Sequence, residues 1–167
     1  MACHATGSNT AIGTQPTTPE YLAYGAAIST DLDLSDCLPE GRDAPLSLVV
    51  SEGSGSAEFA PTGQAFVLGT GHGRELQIHT DRELSLSEQG QPWCFEVGEV
   101  ARFRWLGGSS RITFERLSKG TDHRLAFWLI HIFLPLYFTL EGRYEFIHAS
   151  SVDIGDHTVL FTAPSHG

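Results

Sequence analysis

Along the first two thirds of the chain, apolar and polar positions trade places in short runs. One long apolar run follows, then a second pair of short ones. Runs at 21–29, 46–50, 65–69, 75–79 and 93–97 are separated by Gly, Pro and Asp and read as strands. The clearest pattern spans 100–106 and 111–115. Ala101, Phe103 and Trp105 alternate with Arg102 and Arg104, Gly107-Gly108 reverses the chain, and Ile112 and Phe114 alternate with Arg111, Thr113 and Glu115. A period of two about a Gly-Gly turn predicts a hairpin with one buried face. The three arginines are then expected on its solvated face, bonded to acids of the first hundred residues.

Residues 125–140 (LAFWLIHIFLPLYFTL) are apolar on nearly every side. Sixteen residues fall short of the ~20 that cross a bilayer, so a buried helix is expected. Thr121 or Asp122 offers its N-cap and Gly142 its stop, and Pro135 should kink it because proline has no backbone N–H to donate. After the helix, 144–152 (YEFIHASSV) is expected to pair through the turn Asp153-Ile154-Gly155-Asp156 with a buried strand at 157–162 (HTVLFT). Asp153 and Asp156 suit that turn through bonds to their own backbone. Residues 51–63 read as a Gly/Ser-rich loop and residues 1–19 as a disordered tail.

Charge divides the chain. Twenty acids against ten bases give −10 over 167 residues. The first hundred residues hold fourteen acids and three arginines, and the remainder six acids and seven bases. A nucleic-acid partner is not expected of so acidic a chain. Cys3, Cys37 and Cys94 are odd in number and form no Cys-x-x-Cys pair. A disulfide framework or zinc site is not expected, and a reducing cytoplasm is the simplest compartment. No basic start or apolar core opens the chain, so no secretory signal is read, and no membrane partner is expected. His148, Asp153, Asp156 and His157 do not follow a metal-ligand spacing, so no metal ligand is assigned; His72 and His79 are expected to be exposed.

The stretch IHASSVDIGDHTVLFTAPSHG resembles the entry to the nucleotide site of the HPr kinase/phosphorylase-related family, including kinase-like proteins associated with lasso-peptide biosynthesis. In that family a hydrophobic-His-Ala/Gly-small strand precedes a turn, a buried strand and a phosphate loop of the type G-x-S-x-x-G-K-S/T. Ile147-His148-Ala149-Ser150 matches the first element. Ala163, Pro164, Ser165, His166 and Gly167 match the first five loop positions, with Ala in place of the first Gly. The upstream order of a V-x-x-V-A-R-F strand at 97–103, the proline-containing helix and the Gly142 exit is similar to the family's.

The resemblance implies the following. The fold is α+β: a β-rich N-terminal module, one buried helix, and a β-hairpin that leads into the truncated P-loop of a PEP-carboxykinase-like kinase domain. The boundaries are 1–19 for the tail, 20–117 for the β-rich module and 118–167 for the start of the nucleotide-binding domain. His148 is the catalytic candidate, orienting phosphate or the catalytic acid, and Ala163 to Gly167 are the cofactor-binding residues. ATP and Mg²⁺ are implied for the complete protein, and the acceptor is a serine of a small protein or peptide. The printed chain stops before the Gly-Lys-Ser/Thr that supplies charge to the phosphates and a ligand to magnesium. It is therefore expected to be the N-terminal part of a kinase, or a truncated product that binds nucleotide poorly, does not turn over and aggregates alone.

Two other readings stay open. One is a non-catalytic module whose β-rich part docks a peptide or protein and whose loop is vestigial. The other is an α/β-hydrolase with an A-x-S-x-G elbow and Ser165 as nucleophile, which its antiparallel approach and missing downstream histidine disfavour. A homo-oligomer is left open.

Overall fold

The computed structural model describes residues 18–53, 61–63, 65–81, 88–146 and 149–162. Eight strands form one mixed sheet: β1 (Glu20–Ala23), β2 (Ala26–Thr30), β3 (Leu46–Glu52), β4 (Ala65–Gly71), β5 (Arg74–Thr80), β6 (Pro92–Val97), β7 (Ala101–Leu106) and β8 (Arg111–Arg116). Their spatial order is β1-β2-β3-β8-β7-β6-β5-β4. Pairing is parallel where β3 meets β2 and β8, and antiparallel elsewhere. A single helix, α1 (Asp122–Leu140), follows, and then a separate two-stranded sheet of β9 (Ser150–Ile154) and β10 (His157–Phe161). The class is α+β, as expected.

The run at 21–29 is two strands. Tyr24 and Gly25 both take left-handed backbone (φ 51° and 70°), which makes the two-residue turn between β1 and β2. The pattern missed it because only one of the two turn residues is glycine. The expected loop at 51–63 begins later, since Ser51 and Glu52 extend β3 along β8. The Gly-Gly hairpin is present as β7–β8, with Trp105 opposite Ile112 and Phe103 opposite Phe114.

The core lies on one face of this sheet. Trp93 and Trp105 stack across β6 and β7 at 5.9 Å, and Phe95 and Phe103 at 6.4 Å. Phe133 of α1 stacks on Phe103 at 4.6 Å and meets Trp105 edge-on at 5.2 Å. All five aromatic side chains are fully buried. Helix and sheet share one hydrophobic core, so the helix assigned by sequence to the 118–167 unit packs on the 20–117 module.

The helix begins where expected, with the Thr121 hydroxyl accepting from the Arg124 N–H. It has 19 residues, longer than the 125–140 run and apolar enough by length and composition to cross a membrane; 56% of that stretch is buried inside this fold. Pro135 acts through hydrogen-bond register. Leu129–Phe133 form a π-helical turn, in which the Leu134 N–H bonds back five residues to the Leu129 carbonyl. The next such bond would come from residue 135 to Ile130, and proline cannot donate it. The Tyr24 hydroxyl donates to the Ile130 carbonyl instead, at 2.9 Å. The far end of the helix is tied by Glu141, which accepts from Trp105 Nε1 (3.3 Å) and the Gly108 N–H (2.8 Å).

Phe133→Ala should lower unfolding free energy by about 3–5 kcal/mol in denaturant titration, the cost of an unfilled aromatic site. Tyr24→Phe should cost about 1–3 kcal/mol because it leaves the Ile130 carbonyl without its donor. Pro135→Ala should recover part of that loss in the Tyr24→Phe background, by restoring an amide at residue 135. A thermodynamic cycle showing no coupling between the two positions would contradict the account.

Candidate functional site

The hairpin β9–β10 carries the sequence that leads to the expected nucleotide loop. Its register pairs Ile154 with His157 and Ser150 with Phe161, so Ala149 and Thr162 stand at the same end. His148, Ala163, Pro164, Ser165, His166 and Gly167 lie outside the described residues. Two expectations about the hairpin are corrected. Its first arm begins at Ser150, and Tyr144, Glu145 and Phe146 are not in a strand. Its turn is the two residues Gly155-Asp156, with Asp153 inside β9 accepting from the Thr158 hydroxyl across the strands at 2.7 Å. Asp153 therefore stabilises pairing rather than the reversal.

The strand expected to be buried is exposed. Val152, Ile154, Val159 and Phe161 alternate onto one face of the hairpin, at 49%, 64%, 39% and 59% exposure. The strand itself was read correctly, as an apolar second arm. Burial was not, because this hairpin forms its own sheet apart from the eight-stranded one.

Tyr144 and Phe146 instead join an aromatic cluster with Tyr24 and Phe138, with ring centroids 5.3 Å apart for Tyr24–Phe146 and Phe138–Tyr144. Tyr24, Tyr144 and Phe146 line a cavity of about 370 Å³ with Gly25 and Glu145. Burial raises the Tyr24 phenol above its ordinary value.

The sheet face opposite α1 carries an ion-pair lattice. Arg102 bonds Glu96 (2.8 Å) and Arg104 bonds Glu115 (2.7 Å), while Arg102 also reaches Glu115 at 3.7 Å. Only Glu96 comes from the first hundred residues, so the expected partners are right in part; Glu115 belongs to the same hairpin. His79, expected exposed, is half-buried with Nε2 3.4 Å from Glu96, whereas His72 is exposed as expected. These groups and Cys94 line a cavity of about 210 Å³. Burial pushes the Cys94 thiol up to about 11, so it is a neutral, poorly nucleophilic sulfhydryl at neutral pH.

An acidic hollow of about 630 Å³ lies beside Tyr21, Thr30, Asp31 and Asp33. Its carboxylates serve the backbone: Asp31 accepts from the Glu52 N–H, and Asp33 from the Ser35 hydroxyl and N–H. The Ser35 hydroxyl and amide hold the Asp33 carboxyl below its usual value. No group of three His, Cys, Asp or Glu among the described residues is arranged to hold a metal ion.

A further hollow of about 320 Å³ sits where the β4–β5 turn meets the start of α1. His72, Arg74, His123, Arg124, Phe127 and Trp128 line it. Sequence reasoning missed it, because these residues come from two segments fifty positions apart and form no motif. The one local signal was a histidine beside glycine in a turn.

Compared with protein families, with curated proteins and with solved structures, the chain matches none.

In the native protein, Cys37 should react with iodoacetamide at neutral pH while Cys94 stays unmodified until denaturant is added, as peptide mapping would show. Equal labelling of the two would contradict the closed environment of Cys94.

Proposed function

We propose that this chain is the N-terminal portion of an ATP-dependent kinase that phosphorylates a serine of a small protein or peptide, in the manner of HPr kinase-related enzymes. The observation that carries the reading is the hairpin: its register sets Ala149 and Thr162, the sequence neighbours of His148 and Ala163, at one end of a two-stranded unit. A P-loop needs such delivery, a strand running directly into a turn whose amides face the phosphates.

In this reading residues Ala163, Ser165, His166 and Gly167 contribute backbone N–H groups to the phosphates of ATP, and the Ser165 hydroxyl a further donor. Pro164 has no N–H and acts through its fixed backbone angle. That donor set fits an anionic phosphate, though not a metal ion, and no described residue is assigned to magnesium. The nucleotide supplies the phosphoryl group when bound. His148 orients that group or the acid that accepts the serine proton. The apolar hairpin face supports the same reading, since a strand pair of this composition suits the interior of a larger kinase domain.

The test joins sequence and chemistry. The reading frame beyond Gly167 should continue with Gly-Lys-Ser/Thr, and the protein so extended should transfer the γ-phosphoryl group of ATP to a serine peptide. His148→Ala in that protein should abolish transfer without changing its thermal unfolding. A continuation lacking the lysine, or full activity of the His148→Ala variant, would overturn the assignment.

A further inference from the structure

We propose that the hollow between the β4–β5 turn and the start of α1 is a docking site for an acidic peptide segment. The carboxylate of the segment would lie between Arg74 and Arg124, and an adjacent apolar side chain on the partly exposed Phe127.

Three observations carry this. The first is charge. Arg74 and Arg124 line the hollow, and behind them Glu99 bridges Arg74 (2.9 Å) and Lys119 (2.6 Å). Asp122, at the start of α1, is held by Arg116 at 2.7 Å. Arg124 directs one nitrogen to the Lys119 carbonyl at 3.0 Å and is otherwise exposed. A cationic spot on a chain of net charge −10 draws anions that the rest of the surface repels.

The second is the aromatic wall. His72 meets Phe127 edge-on at 5.0 Å and Trp128 at 5.9 Å, so the hollow offers an apolar surface beside its cations. A bare inorganic ion would leave that surface unused. The third is backbone strain. Tyr24, His72 and Glu99 are the non-glycine residues with positive φ among those described. Glycine or asparagine folds such positions at lower cost. Tyr24 has its reason in the Ile130 carbonyl, and Glu99 in the two cations it holds. His72, at φ 46°, places an imidazole at the mouth of the hollow.

Shape selects between ligand classes. A site for a whole small molecule encloses most of its ligand. This one, at about 320 Å³, lies at the small end of such sites and suits two neighbouring side chains of a longer partner. The surface lies on the β-rich module and helix, apart from the hairpin, so its test is independent of phosphoryl transfer.

Isothermal titration calorimetry with the 167-residue chain would use a short peptide of Glu and Leu, its Gln-for-Glu counterpart, AMP and inorganic phosphate. The Glu peptide should bind at low salt and weaken as salt is raised. Arg124→Ala should weaken it about tenfold, the loss of a charge-assisted hydrogen bond. Arg124→Glu should abolish binding. His72→Asn, which tolerates the left-handed turn, should weaken it about threefold through the lost ring contact. Arg111→Ala removes an exposed charge elsewhere and should change nothing. Equal binding of the Gln peptide would overturn the proposal, as would equal losses in Arg111→Ala and Arg124→Ala. Displacement of the peptide by AMP or phosphate would assign the hollow to a small anion instead. Concentration-dependent self-association that Arg124→Glu abolishes would assign it to a second copy of the chain.

Discussion

The rest of this structure depends on the contact of Phe133 with Phe103 and Trp105. An eight-stranded sheet with one aromatic face is not stable in water until something covers that face, and α1 is the cover. Its stacked contact at 4.6 Å sits over the β6–β7–β8 region, where the cross-strand pairs Trp93–Trp105 and Phe103–Phe114 have already aligned their rings. Strand pairing and helix docking are therefore one packing problem. Register sets where the rings stand, and the rings set where the helix lies.

A proline in the middle of that helix has consequences on both sides. It removes an amide, the π turn shifts the carbonyl left without a donor to Ile130, and a tyrosine from the first hairpin turn fills the gap. Tyr24 reaches it from a backbone angle that disfavours most side chains. The strained β1–β2 turn and the irregular helix thus explain each other, since each has a cost alone that their hydrogen bond offsets. Gly25 next in the turn serves the same closeness: a Cβ there would stand 3.0 Å from the Tyr144 hydroxyl oxygen at an already left-handed angle.

The two faces of the sheet have different work. The covered face carries the aromatic core. The other carries arginines and glutamates in cross-strand pairs, half-buried and mutually neutralised. Such pairs fix strand register more than they add stability, because desolvation offsets much of their attraction. At the helix start, beside His72, one carboxylate, Glu99, serves both Arg74 and Lys119, and Arg124 bonds only a backbone carbonyl. The hollow beside His72 and the β9–β10 hairpin lie on different elements, so each can be altered without touching the other.

Much of this architecture was legible before any coordinates. Alternation in β7 and β8, the turn at Gly107-Gly108, the Thr121 cap and the apolar run at 125–140 are local signals, set by backbone geometry and by which side chains avoid water. The turn at Tyr24-Gly25 was hidden because a tyrosine there answers to a carbonyl 106 residues away. The hairpin's apolar second arm was legible but its exposure was not, since a run of apolar residues marks a strand and never what lies against it. The His72–Arg124 hollow was invisible for a related reason: residues from two distant segments meet only after the sheet has curled the β4–β5 turn onto the helix. Composition and period determined the elements and the side each would bury. Long-range contact alone decided which elements meet, and so which charges were left without a partner of their own.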